Sequence, residues 1–72
     1  MNKIGPQVRY LREKQGMTQE ELAAKCNLLG WNITRSTLAK MESQVRRITD
    51  EEVLLLANAL RVDVSLLFEA TE

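Results

Sequence analysis

The chain has 72 residues, of which 44% are hydrophobic and 28% are charged, and its ten basic and ten acidic side chains cancel to a formal net charge of zero. This length fits a single domain, 1–72, with the composition of an ordinary globular protein rather than a disordered one. No apolar stretch approaches the roughly 20 residues that a membrane span requires, and the N-terminus lacks the apolar run of a secretory signal.

The chain contains one cysteine, Cys26, and no histidine. We therefore expect no internal disulfide, no metal site and no cofactor, and a reducing cytoplasm is the expected compartment. Histidine is also the commonest general base, and the acidic pairs at 20–21 and 51–52 are helix neighbours whose side chains do not face each other. The sequence predicts that this protein is not an enzyme.

The zero net charge conceals an uneven distribution along the chain. Residues 1–47 carry nine basic and four acidic side chains, a net charge of +5, whereas residues 48–72 carry one basic and six acidic side chains, a net charge of −5. Such a division favours a basic working half and an acidic supporting half, although it can also arise by chance.

Apolar residues recur with helical periodicity along almost the whole chain, and no segment alternates with period two. Ile4, Val8 and Leu11 form one face of a first helix over about 4–15. Gly16 is expected to end this helix in a left-handed conformation, as glycine commonly does at a helix C-terminus.

The second predicted helix begins at a capping box. The hydroxyl group of Thr18 can accept from the N–H of Glu21, and the Glu21 carboxylate can reach back to the Thr18 N–H. The apolar face of this helix is predicted to comprise Leu22, Cys26 and Leu29, and Gly30 is expected to end it.

Thr34 is predicted to cap a third helix that runs from Arg35 to about Ser43, with Leu38 and Met41 facing the core. A fourth helix is predicted over about 50–60, capped by Thr49 or Asp50, and a short fifth helix begins at Val62 or Asp63. Their predicted core residues are Val53, Leu54, Leu56, Ala57, Leu60, Val64, Leu67 and Phe68. The expected fold is all-α, a compact bundle of about five short helices.

Four segments of the chain carry a family resemblance. They are VRYLR at 8–12, GMTQEELA at 16–23, ITRSTLAKME at 33–42 and LANALRVDVSLLF at 56–68. In this order they resemble the lambda-repressor-like helix-turn-helix domain of the Xre family. The resemblance places the helix-turn-helix motif at about 18–43 and its recognition helix at about 35–43.

The resemblance implies sequence-specific binding to double-stranded DNA, with the third helix lying in the major groove. By position, Arg35, Ser36 and Lys40 match the residues that contact bases in this family. Arginine and lysine can donate to guanine O6 and N7, and serine can pair with several bases. The competing interpretation is that these three side chains form an ordinary solvated face.

The resemblance also implies contacts to the DNA backbone. Thr18 and Gln19 lie at the N-terminus of the second helix, where free N–H groups attract phosphate. Thr37 lies at the groove edge, and Arg46 and Arg47 lie in the loop that follows the recognition helix. The last two can equally be ordinary surface charges.

Two further roles follow from the resemblance. Arg12 and Glu42 match a pair that forms an internal salt bridge in many family members. Val64, Leu67 and Phe68 are expected both to close the core and to form a homodimer interface.

Cys26 and Trp31 each have two possible roles. Cys26 is expected to act as a small core hydrophobe rather than a redox sensor, because it lies on the apolar stripe with Leu22. The ring of Trp31 is expected to cover an edge of the core, although it is also a candidate contact for a partner or DNA.

The resulting hypothesis is a DNA-binding transcriptional regulator that represses by binding a palindromic operator as a homodimer, without a small-molecule ligand. The alternative is a protein-interaction module on the same fold, such as an antitoxin or an adaptor, because fold alone does not determine function. Basic residues on the exposed face of the third helix favour DNA over protein as the partner.

Overall fold

Five α-helices and their connecting turns make up the computed structural model, which describes residues 4–69. The helices are α1 Ile4–Lys14, α2 Gln19–Leu28, α3 Arg35–Glu42, α4 Asp50–Leu60 and α5 Val64–Leu67. The predicted all-α fold is confirmed, and no strand occurs between residues 4 and 69. None of the helices in this range has the length and apolar character needed to cross a membrane.

Side-chain caps fix where four of the helices begin. Thr18 and Thr49 each head a complete capping box, in which Glu21 and Glu52 respectively return the bond to the cap N–H. Thr34 accepts from the backbone three residues ahead of it, and Asp63 accepts from the backbone two residues ahead. Each cap satisfies an N–H that the helix leaves unpaired, which stabilises the domain by about 1 kcal/mol.

Three residues predicted to be in the core, Leu29, Leu54 and Phe68, are exposed instead, and Phe68, which follows α5, is 52% exposed. Leu29 is 46% exposed because α2 ends at Leu28 and the chain turns outward at Gly30, whose φ is +90°. Leu54 is 56% exposed, since it follows Val53 directly and therefore projects about 100° away from the buried face of α4. None of these three corrections changes the fold, but each leaves a bulky apolar side chain on the surface.

The core lies between α1, α2, α3 and α4, with α5 closing one side. Its most deeply buried members are Val8, Leu22, Cys26, Leu38, Met41, Leu56, Leu60 and Leu67. Burial raises the pKa of the Cys26 thiol to about 11, so the thiolate is scarce near neutral pH. Trp31 is half-buried against this core, which agrees with its predicted role in covering an edge.

Helices α1 and α3 approach each other closely at Gly5. A Cβ atom at this position would overlap the carbonyl oxygen of Met41, near the C-terminus of α3. Glycine therefore lets the backbone of α1 lie against the end of α3. This close contact helps to set the position of α3, on which the candidate site depends.

Candidate nucleic-acid interface

Helix α3 presents one polar stripe to solvent and one apolar stripe to the core. Leu38 and Met41 are fully buried. The side chains predicted to read bases, Arg35, Ser36 and Lys40, are all exposed. The structure therefore brings the three predicted residues onto one accessible face of a short helix that is anchored by its other side.

The N-terminus of α2 lies beside the start of α3. The Gln19 amide oxygen accepts a long, 3.4 Å hydrogen bond from the Arg35 guanidinium group, and its amide nitrogen donates to Glu42 Oε1 at 3.1 Å. Gln19 is thus held between a candidate base-reading side chain and a buried carboxylate. The predicted backbone-contacting residue and the predicted base-reading residue are adjacent in space.

The buried carboxylate of Glu42 is held by Arg12 from α1. Arg12 Nε donates to Glu42 Oε2 at 2.7 Å and a terminal nitrogen donates to Glu42 Oε1 at 3.0 Å, in a bidentate pair. The hydrogen bond with Glu42 raises the pKa of Arg12 above its ordinary value, against the opposing effect of burial. Arg12 also donates to the carbonyl oxygen of Met17 at 2.8 Å, at the turn before α2.

These contacts form one continuous hydrogen-bonded chain from α1 to the exposed face of α3. The order is Arg12, Glu42, Gln19 and Arg35. Side chains tied at both ends lose little further freedom when they bind a partner. The chain thus restrains the Gln19 amide, which has a partner on each side, and places the exposed Arg35 guanidinium group beside it at the boundary between α2 and α3.

The remaining predicted backbone-contacting residues occupy different environments. Thr18 is committed to capping α2, and Thr37 is half-buried with its N–H bonded to the Thr34 hydroxyl. Arg47 is exposed, and its side chain forms no hydrogen bond or ion pair within the described range 4–69. It is therefore the freer of the two loop arginines.

Arg46 forms a structural ion pair that the sequence analysis missed. Its two terminal nitrogens each donate to one oxygen of Glu52 at 2.9 Å. This hydrogen bonding is the main cause that holds the pKa of Glu52 below its usual value, and it raises that of Arg46. The threonine-x-x-glutamate pattern at 49–52 was the available signal, because a capping glutamate is fixed where a nearby cation can reach it.

The three residues predicted for a dimer interface differ in accessibility. Phe68 is 52% exposed and Val64 is half-buried, so both present apolar surface. Leu67 is only 1% exposed because it packs into the core from α5. Its predicted role in closing the core is confirmed, and in this conformation its side chain offers no surface to a second copy.

Between residues 4 and 69, no group of three or more acidic, cysteine or histidine side chains is placed to hold a metal ion. The exposed polar stripe of α3, with the N-terminus of α2 beside it, is instead the geometry of a surface that docks into a groove.

Comparison with known proteins identifies the family. The helix-turn-helix family model HTH_3 matches residues 8–67, which is most of the chain and includes the candidate interface. Searches of curated proteins and of solved structures found no significant match. The all-helical fold, the paired α2 and α3 and this match together show that the chain belongs to the lambda-repressor-like (Xre) family of DNA-binding helix-turn-helix regulators.

Proposed function

We propose that this protein is a transcriptional repressor that acts in the cytoplasm and binds a palindromic operator as a homodimer. The observation that carries the proposal is the exposed stripe of Arg35, Ser36 and Lys40 on a helix whose opposite side is locked into the core. A rigid helix with donors on one face suits the major groove, where each base pair shows a distinct hydrogen-bond pattern. No catalytic reaction is assigned to the chain.

Within this proposal the side chains divide into two classes. Arg35, Ser36 and Lys40 read bases. Thr18, Gln19, Thr37, Arg46 and Arg47 position the protein on phosphates. Base contacts supply discrimination between sequences, whereas phosphate contacts supply affinity that depends on salt. The two classes therefore predict different outcomes in one binding experiment.

A homodimer is proposed because α3 has only eight residues and can read only a few base pairs. A two-fold dimer presents two such helices, and half-sites on a palindrome would lie about 34 Å apart, one turn of DNA. Two copies also double the phosphate contacts, which raises affinity at a given salt concentration.

The experiment is fluorescence anisotropy of labelled duplexes, selected from random DNA and from DNA flanking the gene, over a salt series. The Arg35→Ala and Lys40→Ala variants should each lose about 1–3 kcal/mol of discrimination between the selected site and a mismatched one. Lys14→Ala is the matched control, because Lys14 is exposed but lies against the Tyr10 ring of α1 and not on the proposed face.

The loop arginines give a second comparison. Arg47→Ala should reduce the slope of log K against log salt by about 1, as expected for one lost phosphate contact. Arg46→Ala should reduce it less, since Glu52 already neutralises that guanidinium group. Equal, weak binding to every duplex would refute sequence-specific recognition, and no binding at low salt would favour a protein partner.

A further inference from the structure

The outer face of α4 carries a stripe of exposed side chains that the proposed DNA contacts do not use. It consists of Glu51, Leu54, Asn58 and Arg61. The spacing is i, i+3, i+7 and i+10, which places all four along one side of the helix. From the N-terminal to the C-terminal end, its four side chains are acidic, apolar, a neutral amide and basic.

A shallow groove of about 180 Å³ runs beside the C-terminal half of this stripe. Its lining residues are Lys25, Leu28, Leu29, Asn58, Ala59 and Arg61. Leu28 is 87% exposed, more than any other large hydrophobic residue of the described chain, and Leu29 is 46% exposed. The groove therefore has an apolar side contributed by α2 and a basic rim.

The charged groups at both ends of the stripe are exposed and have no partner among the described residues. Among residues 4–69, the side chains of Lys25, Glu51 and Arg61 take part in no ion pair or hydrogen bond. In addition, Arg61 has a φ of +59°, a left-handed conformation that glycine would adopt more easily.

The stripe is complementary in charge to a second copy of itself that runs in the opposite direction. In an antiparallel pair of α4 helices with a two-fold axis level with residue 56, Glu51 of each copy lies opposite Arg61 of the other. Leu54 of each copy then lies opposite Asn58 of the other, at the edge of the groove that contains Leu28. Such reciprocal pairing, in which each contact occurs twice, is the requirement of a two-fold interface.

The positive charge of the rim also indicates which kind of surface can occupy the groove. Placing one groove directly on a second groove would bring Lys25 and Arg61 of both copies together, and like charges repel. The antiparallel arrangement instead brings each basic rim to the acidic N-terminal turn of α4, where Asp50 and Glu51 are exposed. The complementary surface is thus present on the chain itself.

We propose that the homodimer forms through α4, with Leu54 of each copy seated against Leu28 and Leu29 in the groove of the other and flanked by reciprocal Glu51–Arg61 pairs. The occupant of the groove is a second copy of this chain. The inference rests on the homodimer of the proposed function and replaces the α5 face, where Leu67 is buried, as its interface.

The test is sedimentation velocity of the full chain without DNA, from about 1 to about 500 µM, because small interfaces associate weakly. Leu54→Asp and Leu28→Asp should each raise the monomer–dimer Kd at least about tenfold, as expected when an anchor residue is lost. Both positions are exposed, so circular dichroism should show unchanged helicity.

Charge reversal tests the pairing itself. Glu51→Arg and Arg61→Glu should each weaken the dimer, and the double variant Glu51→Arg/Arg61→Glu should restore it, because the reversed charges face each other again. Glu20→Arg is the matched control. Glu20 is the second residue of α2 as Glu51 is the second residue of α4, and it lies off the stripe.

Three results would overturn the α4 dimer. These are a wild-type protein that stays monomeric throughout the concentration range, a double variant no better than either single variant, and a dimer weakened by Phe68→Ser but not by Leu54→Asp. Arg35→Ala and Lys40→Ala change α3 and leave the α4 stripe intact, so both should keep the wild-type Kd for dimerisation. A failure of the α4 dimer is therefore distinguishable from a failure of DNA recognition.

Discussion

Replacing Arg12 by methionine should remove most of the stability of this domain. The substitution keeps an unbranched side chain about as long as the aliphatic part of arginine but deletes the guanidinium group that donates to both oxygens of Glu42 and to the carbonyl oxygen of Met17. The Glu42 side chain is 3% exposed. Its carboxylate would retain only the Gln19 amide as a donor and would be buried without a countercharge.

The magnitude follows from that burial. Removing one partner of a buried ion pair costs about 3–5 kcal/mol, since the other charge is left uncompensated. A core of this size supplies only about 3–5 kcal/mol of net stability in the absence of disulfides or metals. We therefore expect Arg12→Met to be largely unfolded at 25 °C.

The assay is thermal and urea unfolding followed by circular dichroism, with a second substitution to isolate the uncompensated charge. The double variant Arg12→Met/Glu42→Leu removes both charges, and it should be more stable than Arg12→Met alone by at least about 2 kcal/mol, or about 8–16 °C in Tm. Arg9→Met is the matched control. Its Glu13 pair is 3.2 Å long and mostly exposed, so it should cost less than about 1 kcal/mol. A double variant no more stable than Arg12→Met would refute the reasoning.

Three further predictions concern other parts of the fold. Gly5→Ala should lower stability by about 1–3 kcal/mol in urea unfolding, because its methyl group meets the carbonyl oxygen of Met41; an unchanged midpoint would contradict this. The Arg46 hydrogen bond lowers the pKa of Glu52 below the usual 4.5, so its stabilisation is complete above that pH and is lost as the pH falls through the folded-state pKa. Tm should therefore fall less steeply below pH 4.5 in Glu52→Gln than in the wild type. If Tm falls equally with pH in both proteins, the Arg46–Glu52 pair does not contribute to the acid sensitivity of the fold. Cys26, fully buried with a pKa of about 11, should react with a thiol reagent at pH 8 only when the protein is unfolded; rapid native reaction would show that the thiol is accessible.

The helices and their caps could be predicted from the sequence because their signals are local. A capping box occupies four consecutive residues, so the start of α2 at Gln19 follows from Thr18 and Glu21. Leu54 was misassigned because two adjacent leucines and a valine at 53–55 leave the centre of the buried face undecided. Only packing against the other helices determines which of them lies inside.

The residues of the candidate site could be predicted from the sequence, but the hydrogen bonds that join them could not. Arg35, Ser36 and Lys40 were identified by the positions that the resemblance assigned to them, and the structure places all three on the exposed face. The bond from Gln19 to Arg35 joins residues 16 apart and depends on the angle between α2 and α3. In the Arg46–Glu52 pair the capping box fixes the position of Glu52, but the path of the loop that brings Arg46 to it could not be predicted from the sequence.

The two stripes of α3 have a consequence for exchanging recognition helices between regulators. Among residues 4–69 the side chains of Ser36 and Lys40 form no hydrogen bond or ion pair, and the Ser43 hydroxyl donates only to the backbone carbonyl of Lys40. A library randomised at both positions should therefore leave folding intact. Arg35 should be varied together with Gln19, because the two side chains are bonded. A transplanted helix must also bring an acidic residue at position 42, or the host must give up Arg12 in the same step. In this domain, a new DNA specificity can be introduced without loss of the fold only when the Gln19–Arg35 and Arg12–Glu42 pairs are designed together with it.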